Sequence, residues 1–150
     1  MYFIDRNKVE ETASHMEHLL NIFEQRQNWS GDPVTELALE RIAHNLIESV
    51  IDIGNTMIDG FIMRDPGSYE DILDILLDEK VIGQDVEAPL KKLVGLRKMV
   101  VREFMNVDGA ETERTIAQAL PSLKRFPGDV RRYLAEELGP VSAFLPEDKE

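Results

Sequence analysis

Gly95-Leu-Arg-Lys-Met-Val-Val-Arg-Glu-Phe104 is the stretch on which the reading of this chain turns. Leu90, Leu93, Val94, Val100, Val101 and Phe104 recur at helical spacing in and around it, and Arg97 falls in the middle of that apolar stripe. A guanidinium on a core-facing stripe has to find an acceptor, because an unpaired buried charge is very costly. Arg97 therefore either locks two helices together or lines a functional groove, and the rest of the chain has to supply its partner.

Working outward, helical period dominates and no alternating strand stands out. Asp5 caps a first helix running to about Gln27, with Val9, Ala13, Met16, Leu19, Leu20 and Phe23 on its apolar face. Asp32-Pro33 pairs a capping acceptor with proline at the first helical position, and starts a second, long helix running to about Met63. Gly54 and Gly60 within it mark close packing or a bend. Ser68 caps a short third helix with Ile72, Leu73, Ile75, Leu76 and Leu77 as its core. Asp85 caps a fourth helix that carries the opening motif and ends near Val107. Asp108 and Glu111 form a capping box for a fifth, over about 109–125. Pro127 starts a sixth, which Gly139-Pro140 stops. The short connections predict antiparallel neighbours. The fold expected is all-α, a compact antiparallel helical bundle of five to six helices. It forms a single domain over residues 1–145, with residues 146–150 a frayed tail.

Composition narrows the function. The 150 residues suffice for one core. A net charge of -12 repels bulk nucleic acid and anionic membrane, so RNA could be engaged only through a local basic patch. The absence of cysteine excludes disulfides, thiolate nucleophiles and zinc ribbons, and fits a reducing compartment. Met1-Tyr-Phe-Ile-Asp-Arg6 lacks the pattern of a signal peptide, and charges interrupt every apolar run, so a cytoplasmic protein without a membrane span is expected. No phosphate-cradling glycine loop, GxSxG elbow or HExxH occurs, and no cofactor is expected.

Two polar arrays remain. On helix two, Arg41, His44, Glu48, Asp52, Asn55 and Asp59 lie three or four residues apart, opposite Ile42, Leu46, Ile47, Val50, Ile53, Met57 and Phe61. This strip is either a solvated face or a polar groove that supplies carboxylates to Arg97. Glu48 and Asp52 are a like-charge pair that a guanidinium docked between them would relieve. The expected partner of a largely buried Arg97 is therefore Glu48 or Asp52, and breaking such a buried pair costs about 3–5 kcal/mol. The spacing of these carboxylates is non-specific for a hard cation, and no metal site is expected. On helix four, Lys91, Lys98 and Arg102 line up with Lys92 nearby. They read either as a charged face paired with acidic neighbours or as a phosphate-backbone patch.

Taken together, Met57-Ile-Asp-Gly-Phe-Ile-Met-Arg-Asp-Pro-Gly-Ser-Tyr-Glu-Asp71 and the Gly95–Phe104 motif resemble the HepT-like family of the HEPN superfamily, over nearly the whole chain. The resemblance implies an all-α bundle forming a two-fold homodimer. In active members, toxin ribonucleases of toxin–antitoxin systems, it implies an arginine, a polar residue, a histidine and a tyrosine near the end of this helix. Paired helices of two subunits place both sets in one cleft, where RNA is cut without metal. A nucleotidyltransferase antitoxin binds the toxin or modifies its tyrosine. Here Arg97 stands at the arginine, Lys98 at the polar position, Arg102 at the histidine and Phe104 at the tyrosine. A guanidinium stays protonated at neutral pH and cannot act as a base. Phenylalanine has no hydroxyl to modify.

The favoured reading is a catalytically degenerate HepT-like dimer whose Arg97–Arg102 cleft binds RNA, a nucleotide or a protein partner. The alternative is an active ribonuclease with a rearranged site. There His44 or Glu48 would supply the base, and Arg97 with Arg102 would hold the phosphate. A third reading is a partner subunit for a nucleotidyltransferase.

Overall fold

A computed structural model describes residues 4–139; the expected frayed tail at 146–150, and Pro140 of the expected stop signal, lie outside the described residues. Five α-helices follow one another: α1 (Arg6–Glu24), α2 (Pro33–Gly60), α3 (Tyr69–Asp78), α4 (Gln84–Val94) and α5 (Gly109–Leu138). A π-helical turn, Lys98–Arg102, lies between α4 and α5. No strand occurs among the described residues, and no helix there is long and apolar enough to cross a membrane.

The caps follow from local chemistry. The Asp5 carboxylate accepts from Lys8 N–H, Asp32 from Thr35 N–H at 2.9 Å, and Ser68 from Asp71 N–H at 3.0 Å. All six apolar positions expected on α1 are buried. The apolar side of α2, from Leu39 to Phe61, is buried likewise, and α2 packs against every other helix and the π-helical turn. α5 runs antiparallel to α1. Lys124 meets Glu24 at 2.6 Å, and Arg131 reaches Glu17 at 2.9 Å and Glu10 at 2.6 Å.

Three expectations are corrected. Residues 109–138 form one helix rather than two, with Pro121 and Pro127 inside it. Each interior proline costs about 3 kcal/mol. Leu123, Phe126, Val130 and Leu134 stay buried only if the helix continues, and each such side chain contributes about 1.5–3 kcal/mol. Asp85 does not cap α4, where Gly83 takes that place. Its carboxylate pairs with Arg125 and its carbonyl accepts from Ser122. Finally, α4 stops at Val94 rather than near Val107. The chain unwinds at Gly95-Leu96 and resumes as the π-helical turn, closed by Glu103 N–H to Lys98 C=O at 2.9 Å.

The loop into α3 is held by charge. Arg64 grips the Asp71 carboxylate with two hydrogen bonds, 2.7 and 2.9 Å, and Gly67 N–H donates to the same group at 2.8 Å. The Arg64 guanidinium, with Gly67 N–H behind it, holds the Asp71 carboxyl down at about 2. A depressed carboxyl stabilises the fold above its unfolded value and loses that effect only as pH falls through the folded one. NMR titration should therefore find the Asp71 midpoint near 2, with the clamp intact at neutral pH, and Arg64→Gln should raise it.

Gly54 permits α2 and α3 to touch: a Cβ there would collide with Cγ2 of Ile72, a β-branched side chain that cannot swing away. Gly128 in α5 has open space around its missing Cβ. Urea denaturation should show Gly54→Ala destabilising by about 1–3 kcal/mol through overpacking. Gly128→Ala should stabilise by about 0.5–1 kcal/mol through helix propensity.

Candidate functional site

The π-helical turn decides the site. On an α-helix, residues five apart point about 140° away from each other, at 100° per residue. A π-helical turn closes its hydrogen bonds between residues five apart, so Arg97 and Arg102 come to lie on one side. Both line an open cleft of about 470 Å³, together with Tyr69, Glu70, Val94, Gly95, Lys98 and Glu103.

Unwinding also places Arg97. Leu96 enters the core and is 6% exposed, while Arg97 moves to the core's edge with its side chain 23% exposed. Arg97 is thus half-buried rather than enclosed in the apolar seam. Its Nε–H donates to Glu48 Oε2 of α2 at 2.7 Å, which holds the guanidinium pKa above its ordinary value. The guanidinium carbon lies 4.5 Å from the centroid of the Tyr69 ring, a cation–π contact. Its two terminal nitrogens make no hydrogen bond to protein among the described residues.

The other expected residues divide. Arg102 lies exposed in the cleft without an ion pair among the described residues. Lys98 lies there too, with a loose 3.8 Å contact to exposed Glu103. Asp52 does not share Arg97. It is exposed and lines a separate groove with Glu11, Thr12, His15, Asn45, Ser49 and Glu48, so the Arg97–Glu48 pair forms the wall between groove and cleft. His44 and Arg41 line neither: His44 is half-buried one turn before Glu48, and Arg41 is exposed. Phe104, expected on the apolar stripe, is 64% exposed beside Met105 at 83%, because the turn ends at Arg102.

The basic face expected on helix four is split. Lys91 pairs with Asp74 at 2.8 Å, and Lys92 lines a different hollow against α5. Among the described residues no group of three or more His, Asp or Glu side chains is gathered to hold a metal ion. Sequence reasoning did not single out Tyr69, which follows the Ser68 cap. Ile72 and Leu73, three and four residues on, make it read as the start of that helix's apolar face, so the sequence carries no signal of a place in the cleft.

Chemically, the cleft can hold an anion. Guanidinium and ammonium groups bind phosphate oxygens, and the free terminal nitrogens of Arg97 suit bidentate contact. No histidine lines the cleft, and Arg102 cannot take a proton at neutral pH. Because Arg97 and Glu48 are each partly solvated, the pair stabilises less than an enclosed one. Arg97→Ala should cost about 1–2 kcal/mol, between the ranges for exposed pairs and for charged hydrogen bonds, rather than 3–5. A double-mutant cycle with Glu48→Ala, read by urea denaturation, should show coupling of about 1 kcal/mol.

Known proteins share this fold. A Bacillus subtilis (strain 168) protein named "Putative RNase YutE" is 51% identical over 144 residues, covering 96% of this chain and 99% of that protein. A solved structure of Bacillus subtilis YutE, described as a cytosolic protein of unknown function, superimposes with a TM-score of 0.91 at 51% identity. It covers 96% of this chain and 100% of that one. At 18% identity the fold alone is shared with a tri-AMPylated Shewanella oneidensis HEPN toxin in complex with its MNT antitoxin. There the TM-score is 0.72 over 83% of this chain and 96% of that one. The ribonuclease HepT-like family model matches residues 7–130. The chain belongs to the ribonuclease HepT-like family, within the HEPN helical fold.

Proposed function

We propose that this protein is a catalytically degenerate HepT-like dimer that binds RNA in the Arg97–Arg102 cleft without cutting it. The observation that carries the reading is the orientation of Arg97. Its Nε–H is committed to Glu48, while among the described residues both terminal nitrogens and Arg102 have no hydrogen-bond or ion-pair partner, beside exposed Lys98. Three cations against the carboxylates of Glu70 and Glu103 leave this cleft net positive in a chain with net charge -12, the local basic patch that phosphate binding requires.

Cleavage by the family's chemistry needs a proton acceptor where Arg102 stands, and arginine is none. His44 lies outside the cleft, and Glu48 is engaged by Arg97. An antitoxin of nucleotidyltransferase type would find no hydroxyl at Phe104. Of what the family resemblance implies, we therefore keep the cleft and not the modification. Exposed Phe104 and Met105, two and three residues after Arg102, support a two-fold homodimer that brings two clefts together. The lack of cysteine, and a relative described as cytosolic, support a cytoplasmic setting.

Labelled single-stranded RNA should be bound and left intact. Lys98→Gln and Arg102→Gln should each lower the slope of log affinity against log salt by about 0.7. Metal-independent cleavage that Arg97→Ala abolishes would establish the alternative, an active ribonuclease with a rearranged site. Light scattering should find a dimer that Met105→Glu converts to monomer; a monomeric wild type would contradict the dimer.

A further inference from the structure

We infer that Tyr69 is the platform on which a nucleobase of the bound strand stacks, so that the cleft holds a base as well as a phosphate. This rests on the RNA-binding reading above. Tyr69 opens α3 and is 45% exposed, a large aromatic surface left in the wall of the cleft. The Ser68 cap and the Arg64–Asp71 clamp fix the backbone beneath it. The Arg97 guanidinium, itself held by Glu48, covers part of the ring at 4.5 Å and restrains it before any ligand arrives. A restrained ring loses little freedom on stacking, which is what a preorganised site needs.

The surroundings fit one nucleotide. A cleft of about 470 Å³ is in the range of small-ligand sites. Arg97 serves both ends of such a ligand, with its face against Tyr69 and its terminal nitrogens free for the phosphate. Aromatic stacking is tolerant of sequence, since every base has a π-face, and it favours unpaired strands over duplex. The ligand class is therefore single-stranded RNA with exposed bases.

The test uses fluorescence anisotropy with two labelled ten-residue probes at low salt, oligoadenylate and an abasic ribose-phosphate chain of equal length. Wild type should bind oligoadenylate more tightly than the abasic chain. Tyr69→Leu should weaken oligoadenylate binding about 5- to 150-fold, the usual worth of one stacked base, and weaken the abasic chain far less. Tyr69→Phe should behave as wild type, and Arg102→Gln should weaken both probes alike. Equal wild-type affinity for the two probes would overturn the platform and leave the phosphate cleft standing. So would a Tyr69→Leu protein, folded by circular dichroism, that binds both probes as wild type does. Failure of wild type to bind either probe would overturn both readings.

Discussion

A guanidinium at the edge of an apolar core sets the terms for this protein. Arg97 cannot be enclosed without a full set of acceptors, and it cannot leave without exposing Leu96 and Val100, its buried neighbours in the chain. The chain resolves this by unwinding after Val94 and closing one π-helical turn. Leu96 takes the core position, Arg97 stops at the boundary, and Glu48 meets it from the central helix at 2.7 Å. The same turn gathers Arg97 and Arg102 on one side. A packing conflict and the candidate cleft thus share one solution.

Much of this was legible in the sequence because it is local or periodic. The six buried positions of α1, the caps at Asp32 and Ser68, and the buried side of α2 follow from side-chain chemistry and a period of 3.6 residues. An acidic partner for Arg97 on α2, Glu48 or Asp52, followed from need: one stripe lacked an acceptor and one strip carried surplus carboxylates, and the structure pairs it with Glu48. What escaped was whatever breaks the period or arrives from a distant part of the chain. Counting at α-helical spacing put Arg102 on a face with Lys91, but the π-helical turn moves it beside Arg97 and Asp74 takes Lys91 away. Pro127 reads as a helix start, yet the burial of residues on both sides of it carries α5 through. Tyr69 has no sequence signature of its contact with Arg97, because that contact is made in space by α3 packing on α4.

The cleft is basic within an acidic molecule. The net charge of the chain repels polyanions, so on the proposed reading encounter would be favoured at the cleft, where Arg97, Lys98 and Arg102 converge. On the proposed reading, Arg102 at the position of the family's histidine cannot serve as a base but can bind a phosphate. On the same reading Tyr69 would offer a bound strand something other than charge to hold.

The most direct measurement is of the arginine side chains themselves. In proton–nitrogen NMR spectra, the Nε–H of Arg97 should exchange slowly with water in the free protein, shielded by Glu48. Adding single-stranded RNA should shift the Arg97 and Arg102 signals together while Arg41, outside the cleft, stays in place. Rapid exchange at Arg97, or shifts confined to arginines remote from the π-helical turn, would contradict the account.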